Sequence, residues 1–296
     1  MDCHLRPFVD QESFIQSIPK SCRSSAPSTT KLILQWQTHR SFSLLVVSIN
    51  VIRYDHATNT LPANSGIGLE LAAQLMQKHG YHVLVCSRSI AKGEAAVKDL
   101  QSRSLPSTCE LLQLDQTDDE SIARAVKDVE TAHGRIDALV NNAAIADSNK
   151  ETREWMLQSF DTNVAGPALV TKAFVPLLTK STSTPRIVNV SSGAGSINMR
   201  LDASLPYYKM RATVYRMTKS ALNMLSACMI EEYGAEGIKV LVYCPGFTES
   251  NLGPHNKAEF GAAPVGDAVR PLLEIVEGRK DDQVGVFMNR DEIFPW

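Results

Sequence analysis

Tyr215 and Lys219 stand four residues apart in Tyr-Arg-Met-Thr-Lys, which puts a phenol and an ammonium on one helix face. A free tyrosine titrates near ~10, too high for an acid–base group at neutral pH. A cation within ~4–6 Å favours the phenolate and lowers that value, and this is the chemistry the spacing could serve. Seven tyrosines make one chance pair easy to find, yet Tyr215 alone has Lys at that offset. Upstream, Ile187-Val-Asn-Val-Ser191-Ser192-Gly193 reads as a strand ending in hydroxyls. In doubly wound sheets, ligands gather at the carboxyl ends of strands.

A second group of residues suits phosphate. Ala63-Asn64-Ser65-Gly66-Ile67-Gly68 opens a helical period. Glycines there let the backbone approach a pyrophosphate, and the helix start offers free N–H groups and a positive dipole end. A plain helix cap explains the same residues equally well. Arg88 follows the next strand, where an acid would bind a ribose 2′-hydroxyl and an arginine suits a 2′-phosphate. With no Asp or Glu at that place, NADP(H) is favoured over NAD(H); a solvated loop cation is the competing reading.

Other chemistries are excluded. Gly66-Ile67-Gly68 lacks the Lys-Ser/Thr of a P-loop, and Ser191-Ser192 is outside a GxSxG elbow. His56, His79, His82, His133 and His255 show no metal-ligand spacing and no paired cysteine, so no metal is expected.

The elements that must position these residues alternate regularly. Short apolar runs fall at 82–87, 110–114, 136–140, 186–191, 238–244 and 284–288, with helical periods at 67–79, 90–103, 118–133, 151–179, 208–234 and 265–277. Nearly continuous apolar strands separated by helices predict βαβ units and a parallel sheet covered on both faces. The expected fold is one doubly wound α/β domain of the Rossmann type over 62–296. Residues 1–61, rich in Ser, Thr, Pro and Gln near their middle, are an atypical segment expected to be poorly ordered.

The chain has 296 residues, a formal charge of −2, 44% hydrophobic residues and six dispersed cysteines. A near-neutral total argues against nucleic acid, and no apolar run reaches the roughly 18 residues a membrane helix needs. Unpaired cysteines and an N-terminus without an apolar leader point to a reducing, cytoplasmic setting.

From Ala63 onward the chain resembles the short-chain dehydrogenase/reductase family, and its ending looks like fungal carbonyl-reductase-like members. The family's first turn reads TGxxxGxG directly after a strand. Gly66 and Gly68 match its later glycines, but Leu61 stands in place of Thr and Pro62 in place of the first glycine. Proline fixes φ and lacks an N–H, so the usual tight turn cannot form. The first strand belongs in the middle of the sheet, and RYDHATNT is no strand. Three readings stay open. Residues 44–52 supply the strand, the sheet is left defective, or 1–61 come from a mistaken or alternative translation start.

The resemblance implies residue roles. Ser192 would hydrogen-bond the substrate carbonyl, Tyr215 would move the proton, and Lys219 would lower the tyrosine pKa and bind the nicotinamide ribose. Asn163 would hold a water in the proton relay. Asn141-Asn142-Ala143-Ala144 is similar to an element that steadies the sheet and lines the adenine-ribose side, with Asn142 among the cofactor residues. Asp115 would contact the adenine amino group, or else cap the following helix. Pro245, Gly246, Thr248 and Ser250 would pack near the nicotinamide.

The implied activity is reversible hydride transfer between NADP(H) and a carbonyl or alcohol of small to medium, partly apolar type. A role in fungal secondary metabolism and a homodimer or homotetramer through 151–179 and 208–234 follow from the same analogy. A non-catalytic relative with an impaired cofactor turn, and a dehydratase or epimerase, are the alternatives.

Overall fold

The computed structural model describes residues 43–48, 66–147, 149–205 and 208–296. They belong to one compact unit, Phe42–Trp296, so the unit starts before the boundary expected at residue 62. Eight strands form its sheet: β1 Ser43–Ser48, β2 Tyr81–Ser87, β3 Thr108–Gln113, β4 Ala138–Asn141, β5 Arg186–Val190, β6 Lys239–Tyr243, β7 Phe287–Met288 and β8 Ile293–Phe294. Their order is β3-β2-β1-β4-β5-β6-β7-β8. All neighbours are parallel except the final hairpin of β7 with β8.

The place of the first strand is filled. Ser43–Ser48 pairs with β2 from Ser43↔Tyr81 to Ser48↔Cys86 on one side, and with β4 from Leu45↔Ala138 to Val47↔Val140 on the other. Of the three readings, the one in which residues near 44–52 supply the strand is the one the structure displays. A run such as SLLVVS, rich in β-branched and apolar residues, suits a strand with neighbours on both sides. The sheet order reverses between β1 and β4, the point where open α/β sheets take their ligands.

Helices cover both faces. α1 Ile67–Met76, α2 Ile90–Ser102 and a late helix Val265–Val276 share one core, with Leu71, Leu75, Leu100 and Leu272 against Val83, Val85 and Leu241. α3 Asp119–Ala132 and two helices of the second half form the other, with Ile122, Val129, Phe174 and Met229 against Leu84, Leu139 and Ile187. Buried strand residues alternate between these two cores, as a sheet covered on both sides demands.

One helix departs from its expected course. The period at 151–179 is divided into α4 Arg153–Phe160, a π-helical turn Asp161–Ala165 and α5 Gly166–Leu178. Next come α6 Ile197–Leu201, α7 Thr213–Gly234 and α8 Val265–Val276. α7 begins later than the expected 208 because residues 208–212 are turn and coil. Among the described residues no helix is long and apolar enough to cross a membrane.

Candidate active site

Tyr215 and Lys219 lie in the first two turns of α7, which packs beside β5 and β6. The helical spacing brings the Lys219 Nζ to 5.8 Å from the centre of the Tyr215 ring. Lys219 is 3% exposed, and its ammonium donates a 2.8 Å hydrogen bond to the carbonyl of Val190, the last residue of β5. Two residues further along the chain, the Ser192 hydroxyl lies near enough to the Tyr215 phenol to favour its ionised form. A strand end, the turn after it and one helix face thus hold the serine, tyrosine and lysine together.

Their electrostatics differ from the expected coupling. Burial is the main influence on Tyr215 and pushes the phenol upward, the Ser192 hydroxyl opposes that shift, and the Cys244 thiol adds to it. Burial also lowers Lys219 to about 8, with Cys244 pulling the other way. Whatever Lys219 does to favour the phenolate, burial outweighs it, and the phenol stands above its ordinary value. Removing both groups from water favours the neutral form of each. A protonated phenol is nonetheless the form that can donate a proton.

The serine turn is fixed from three sides. Ser192 Oγ accepts from the Ala194 N–H at 3.2 Å and starts the short 3₁₀ turn Gly193–Gly195. Gly195 lies so close to α7 that an added Cβ would meet the Lys219 carbonyl carbon at 2.6 Å and the Ser220 nitrogen at 2.8 Å. The Ser220 hydroxyl donates to the Gly195 carbonyl at 2.7 Å and seals this approach. Below the turn, Cys244 Sγ accepts from the Gly193 N–H at 3.1 Å and the Gly246 N–H at 3.4 Å. Neither Gly195 nor Cys244 stood out in the sequence, because their roles come from approaches between distant segments. Ser191, by contrast, is turned inward and donates to Asn223 Oδ1 at 2.5 Å, which leaves Ser192 as the serine of the site.

Asn163 sits in the π-helical turn, 1% exposed. Its Oδ1 accepts from the Ile145 N–H at 2.8 Å, while Nδ2 donates to the Ile145 carbonyl at 2.9 Å and to Thr218 Oγ1 at 3.0 Å. Thr218 in turn donates to the Tyr215 carbonyl at 2.8 Å. The amide therefore ties the loop after β4 to the helix that carries Tyr215. π-turns inside α-helices recur at functional sites, where the extra residue re-aims a side chain.

A further polar network crosses the sheet. Asn141 Nδ2 donates to Asn189 Oδ1 at 2.8 Å and to Thr171 Oγ1 at 3.0 Å, and Asn189 Nδ2 donates to Ser226 Oγ at 2.8 Å. All four residues are buried and satisfied, so β4, β5, α5 and α7 are locked in one arrangement. Within the Asn141-Asn142 pair, Asn141 is the residue that does the locking. Asn189, Thr171 and Ser226 were not foreseen, since their partners lie far away along the chain.

The expected cofactor residues gather at the carboxyl ends of the strands. Gly66 caps α1 at φ 134°, a conformation open to glycine, and supplies no side-chain cap. Ile67 and Gly68 follow it in the first helical turn, where intrahelical partners for the N–H groups are lacking. Asn64 and Ser65, like Leu61 and Pro62, lie outside the described residues. Arg88 is exposed immediately past β2, and Asn142 follows β4. Asp115 does not cap α3; Asp118 does, accepting from the Glu120 and Ser121 N–H groups. The Asp115 carboxylate instead accepts from the Thr117 N–H and hydroxyl in the loop after β3.

After β6, Pro245 and Gly246 enter a turn with Gly246 at φ 76°. The buried Thr248 hydroxyl is spent on the Pro245 carbonyl at 2.9 Å. Ser250 Oγ accepts from the Leu252 N–H at 3.3 Å. A helix start with glycine at its cap position at the sheet's reversal, a cation past β2 and polar loops after β3, β4 and β6 suit the phosphates, ribose and adenine of a dinucleotide.

A Rossmann sheet with a Ser–Tyr–Lys cluster at its carboxyl edge defines a dinucleotide-dependent oxidoreductase. The family model described as short chain dehydrogenase matches residues 61–259. Short-chain dehydrogenase anuI of Penicillium roqueforti is 40% identical over 212 residues, covering 69% of this chain and 84% of that protein. Short-chain dehydrogenase/reductase tropE of Talaromyces stipitatus is 35% identical over 253 residues, covering 79% and 95%. The NADPH-bound carbonyl reductase from chicken fatty liver superposes with a TM-score of 0.71 at 25% identity, covering 86% of this chain and 99% of that one. The chain belongs to the short-chain dehydrogenase/reductase family.

Proposed function

We propose that this oxidoreductase transfers hydride between NADP(H) and a small to medium, partly apolar carbonyl or alcohol. The observation that carries this reading is the placement of the Ser192 hydroxyl beside the Tyr215 phenol, next to an ammonium anchored on the end of β5. The nicotinamide, when bound, supplies or takes the hydride. Ser192 orients the substrate oxygen with its hydroxyl. Tyr215, protonated by virtue of its burial, delivers the proton to that oxygen during reduction and recovers it during oxidation. Lys219 holds a positive charge beside the phenolate that each reduction leaves behind. Asn163 keeps the Tyr215 helix in register with the loop after β4.

Arg88 supports the preference for NADP(H): it stands past β2 with no acid in its place, and the chicken relative was solved with NADPH. The substrate space is supported by a cavity of about 490 Å³ that borders the serine turn at Ala194 and Ser196, beside Ser192 and Tyr215 rather than lined by them, with walls from Ile197, Leu201, Met210 and Met217. Apolar walls with three guanidiniums suit a partly apolar ketone or polyketide-like alcohol bearing oxygen substituents. A place in fungal secondary metabolism rests on the family analogy, and the relatives from Penicillium, Phoma and Talaromyces agree with a fungal setting.

One experiment tests the reading on the full chain with a panel of aromatic and aliphatic ketones. Arg88→Ala should raise the NADPH dissociation constant by roughly tenfold or more and leave NADH nearly unchanged, as loss of a charged phosphate contact implies. Tyr215→Phe should bind NADPH as the parent does and lose turnover by about 10²–10⁴-fold. Equal losses for both cofactors reject the role of Arg88, and a Tyr215→Phe protein that turns over normally rejects the proton path.

A further inference from the structure

The opposite end of the sheet holds a cluster that the oxidoreductase chemistry does not use. His82 is the second residue of β2, Glu110 the third of β3, and His133 the residue that ends α3. Spacing along the chain gave no hint of a ligand cluster here; the fold brings these three side chains together. His82 and Leu84 share a sheet face, and Leu84 pairs with Glu110, so Glu110 lies diagonally across from His82. On α3, Ile122, Ala125 and Val129 form the buried stripe, and His133 extends it by one turn. Two strand faces and a helix face therefore converge where the apolar core ends.

The geometry is that of a ligand set. The ligand atoms of His82, Glu110 and His133 all lie within 4.8 Å of one another. His82 Nε2 is 3.4 Å from Glu110 Oε1, and His133 Nε2 is 2.7 Å from the same oxygen. Tetrahedral zinc, with bonds of about 2.0–2.1 Å, sets its ligand atoms about 3.3 Å apart, so only small side-chain shifts are needed. The other nitrogen of the His82 ring meets Thr108 Oγ1 at 2.7 Å, the outer hydrogen bond that orients a metal-binding imidazole. That contact leaves Nε2 buried and turned toward the carboxylate, at 3.4 Å and without the geometry of a full hydrogen bond. Where Nδ1 carries the proton, a lone pair and an anion face each other across this gap, and a cation between them removes the conflict.

Two features of the surroundings agree. The carboxyl end of α3 presents its negative dipole end beside His133, which favours a cation. Glu110 is half exposed, so the site opens to solvent and can add water as a fourth ligand.

We propose that His82, Glu110 and His133 bind one divalent transition-metal ion of the zinc class, clamping edge strand β3 and its neighbour β2 to the end of α3. Two imidazoles and one carboxylate suit Zn²⁺, Co²⁺ or Ni²⁺ and give magnesium little purchase. The site lies at the amino ends of the strands, away from Tyr215, so its role is to stabilise the fold.

The test titrates metal-free full-length protein with ZnCl2, and separately with CoCl2 and MgCl2, by calorimetry and thermal unfolding. One equivalent of Zn²⁺ should bind with micromolar or tighter affinity and raise the unfolding temperature in proportion to the logarithm of free metal. Co²⁺ should give the intense visible absorption of a four-coordinate site, and Mg²⁺ should do nothing. His82→Gln and Glu110→Gln should each weaken Zn²⁺ by roughly tenfold or more, the effect that even outer-shell partners of a metal have on affinity. His79→Gln, as a neighbouring histidine outside the cluster, should bind as the parent does. If His82→Gln fails to fold, Glu110→Gln alone decides. No Zn²⁺ binding up to millimolar concentration overturns the proposal, as does binding that Glu110→Gln leaves unchanged, which would place the ion elsewhere on the chain.

Discussion

A lysine held near pH 8 changes charge within the range where this activity would be measured. The cause is burial, which lowers Lys219 to about 8 although its Nζ is anchored on Val190. Below that value the group is an ammonium and stabilises the Tyr215 phenolate formed when the proton leaves. Above it the stabilisation is lost, while the buried phenol keeps its proton. Carbonyl reduction at saturating NADPH should therefore be flat in kcat/KM below about pH 8 and fall toward tenfold per pH unit above it. An Lys219→Arg protein that retains activity should lose this break, since a guanidinium stays charged. A wild-type profile that is flat through pH 9.5 or so would remove the Lys219 charge from the mechanism. The tyrosine and lysine were legible in the sequence because a helix converts a spacing of four into adjacency. Cys244 was not, for its thiol meets the Gly193 N–H only through the pairing of β5 with β6.

At the scale of elements, the site depends on how closely the Gly193–Gly195 turn rides on α7. A Cβ at Gly195 would collide with backbone atoms of Lys219 and Ser220, which cannot rotate away as a side chain can. Gly195→Ala should cost about 1–3 kcal/mol in stability as overpacking. It should also displace Ser192 relative to Tyr215 and lower kcat by as much as about 10²-fold. Thermal unfolding and initial rates measured together check both; normal rates would mean that the turn does not position the serine. The sequence revealed six of the eight strands as short apolar runs, because a sheet covered on both faces needs them. It could not choose between a real and a missing β1, since an apolar run carries no record of which strands flank it. Nor did it show the π-helical turn at Asp161–Ala165, which inserts a residue into the helical period without any special residue type.

Across the whole molecule, polar locking and apolar exposure are divided between the two sides of α7. Its inner side carries Thr218, Lys219, Asn223 and Ser226, all buried and bonded into the site or the sheet network. Its outer side exposes Met224 and Cys228, a stripe at helical spacing that runs on to Met217 at the rim of the cavity, and α4 exposes Leu157 at 67%. Lone apolar residues on a surface are ordinary, but a stripe on one helix beside another on its neighbour forms a patch of the kind that marks an interface. We propose that α4, α5 and α7 pair with the same helices of a second copy, in a two-fold arrangement where each patch covers its equivalent. A stable pairing of that kind buries roughly 1,200–2,000 Å². Placing a carboxylate at its centre leaves two charges facing each other without water. Met224→Glu should therefore shift the protein from dimer or tetramer to monomer in light scattering coupled to size exclusion. Because α7 also carries Tyr215 and Lys219, dissociation should lower the unfolding temperature and activity together. A parent protein that is already monomeric, or a Met224→Glu protein with unchanged mass, would assign the stripe to something other than self-association.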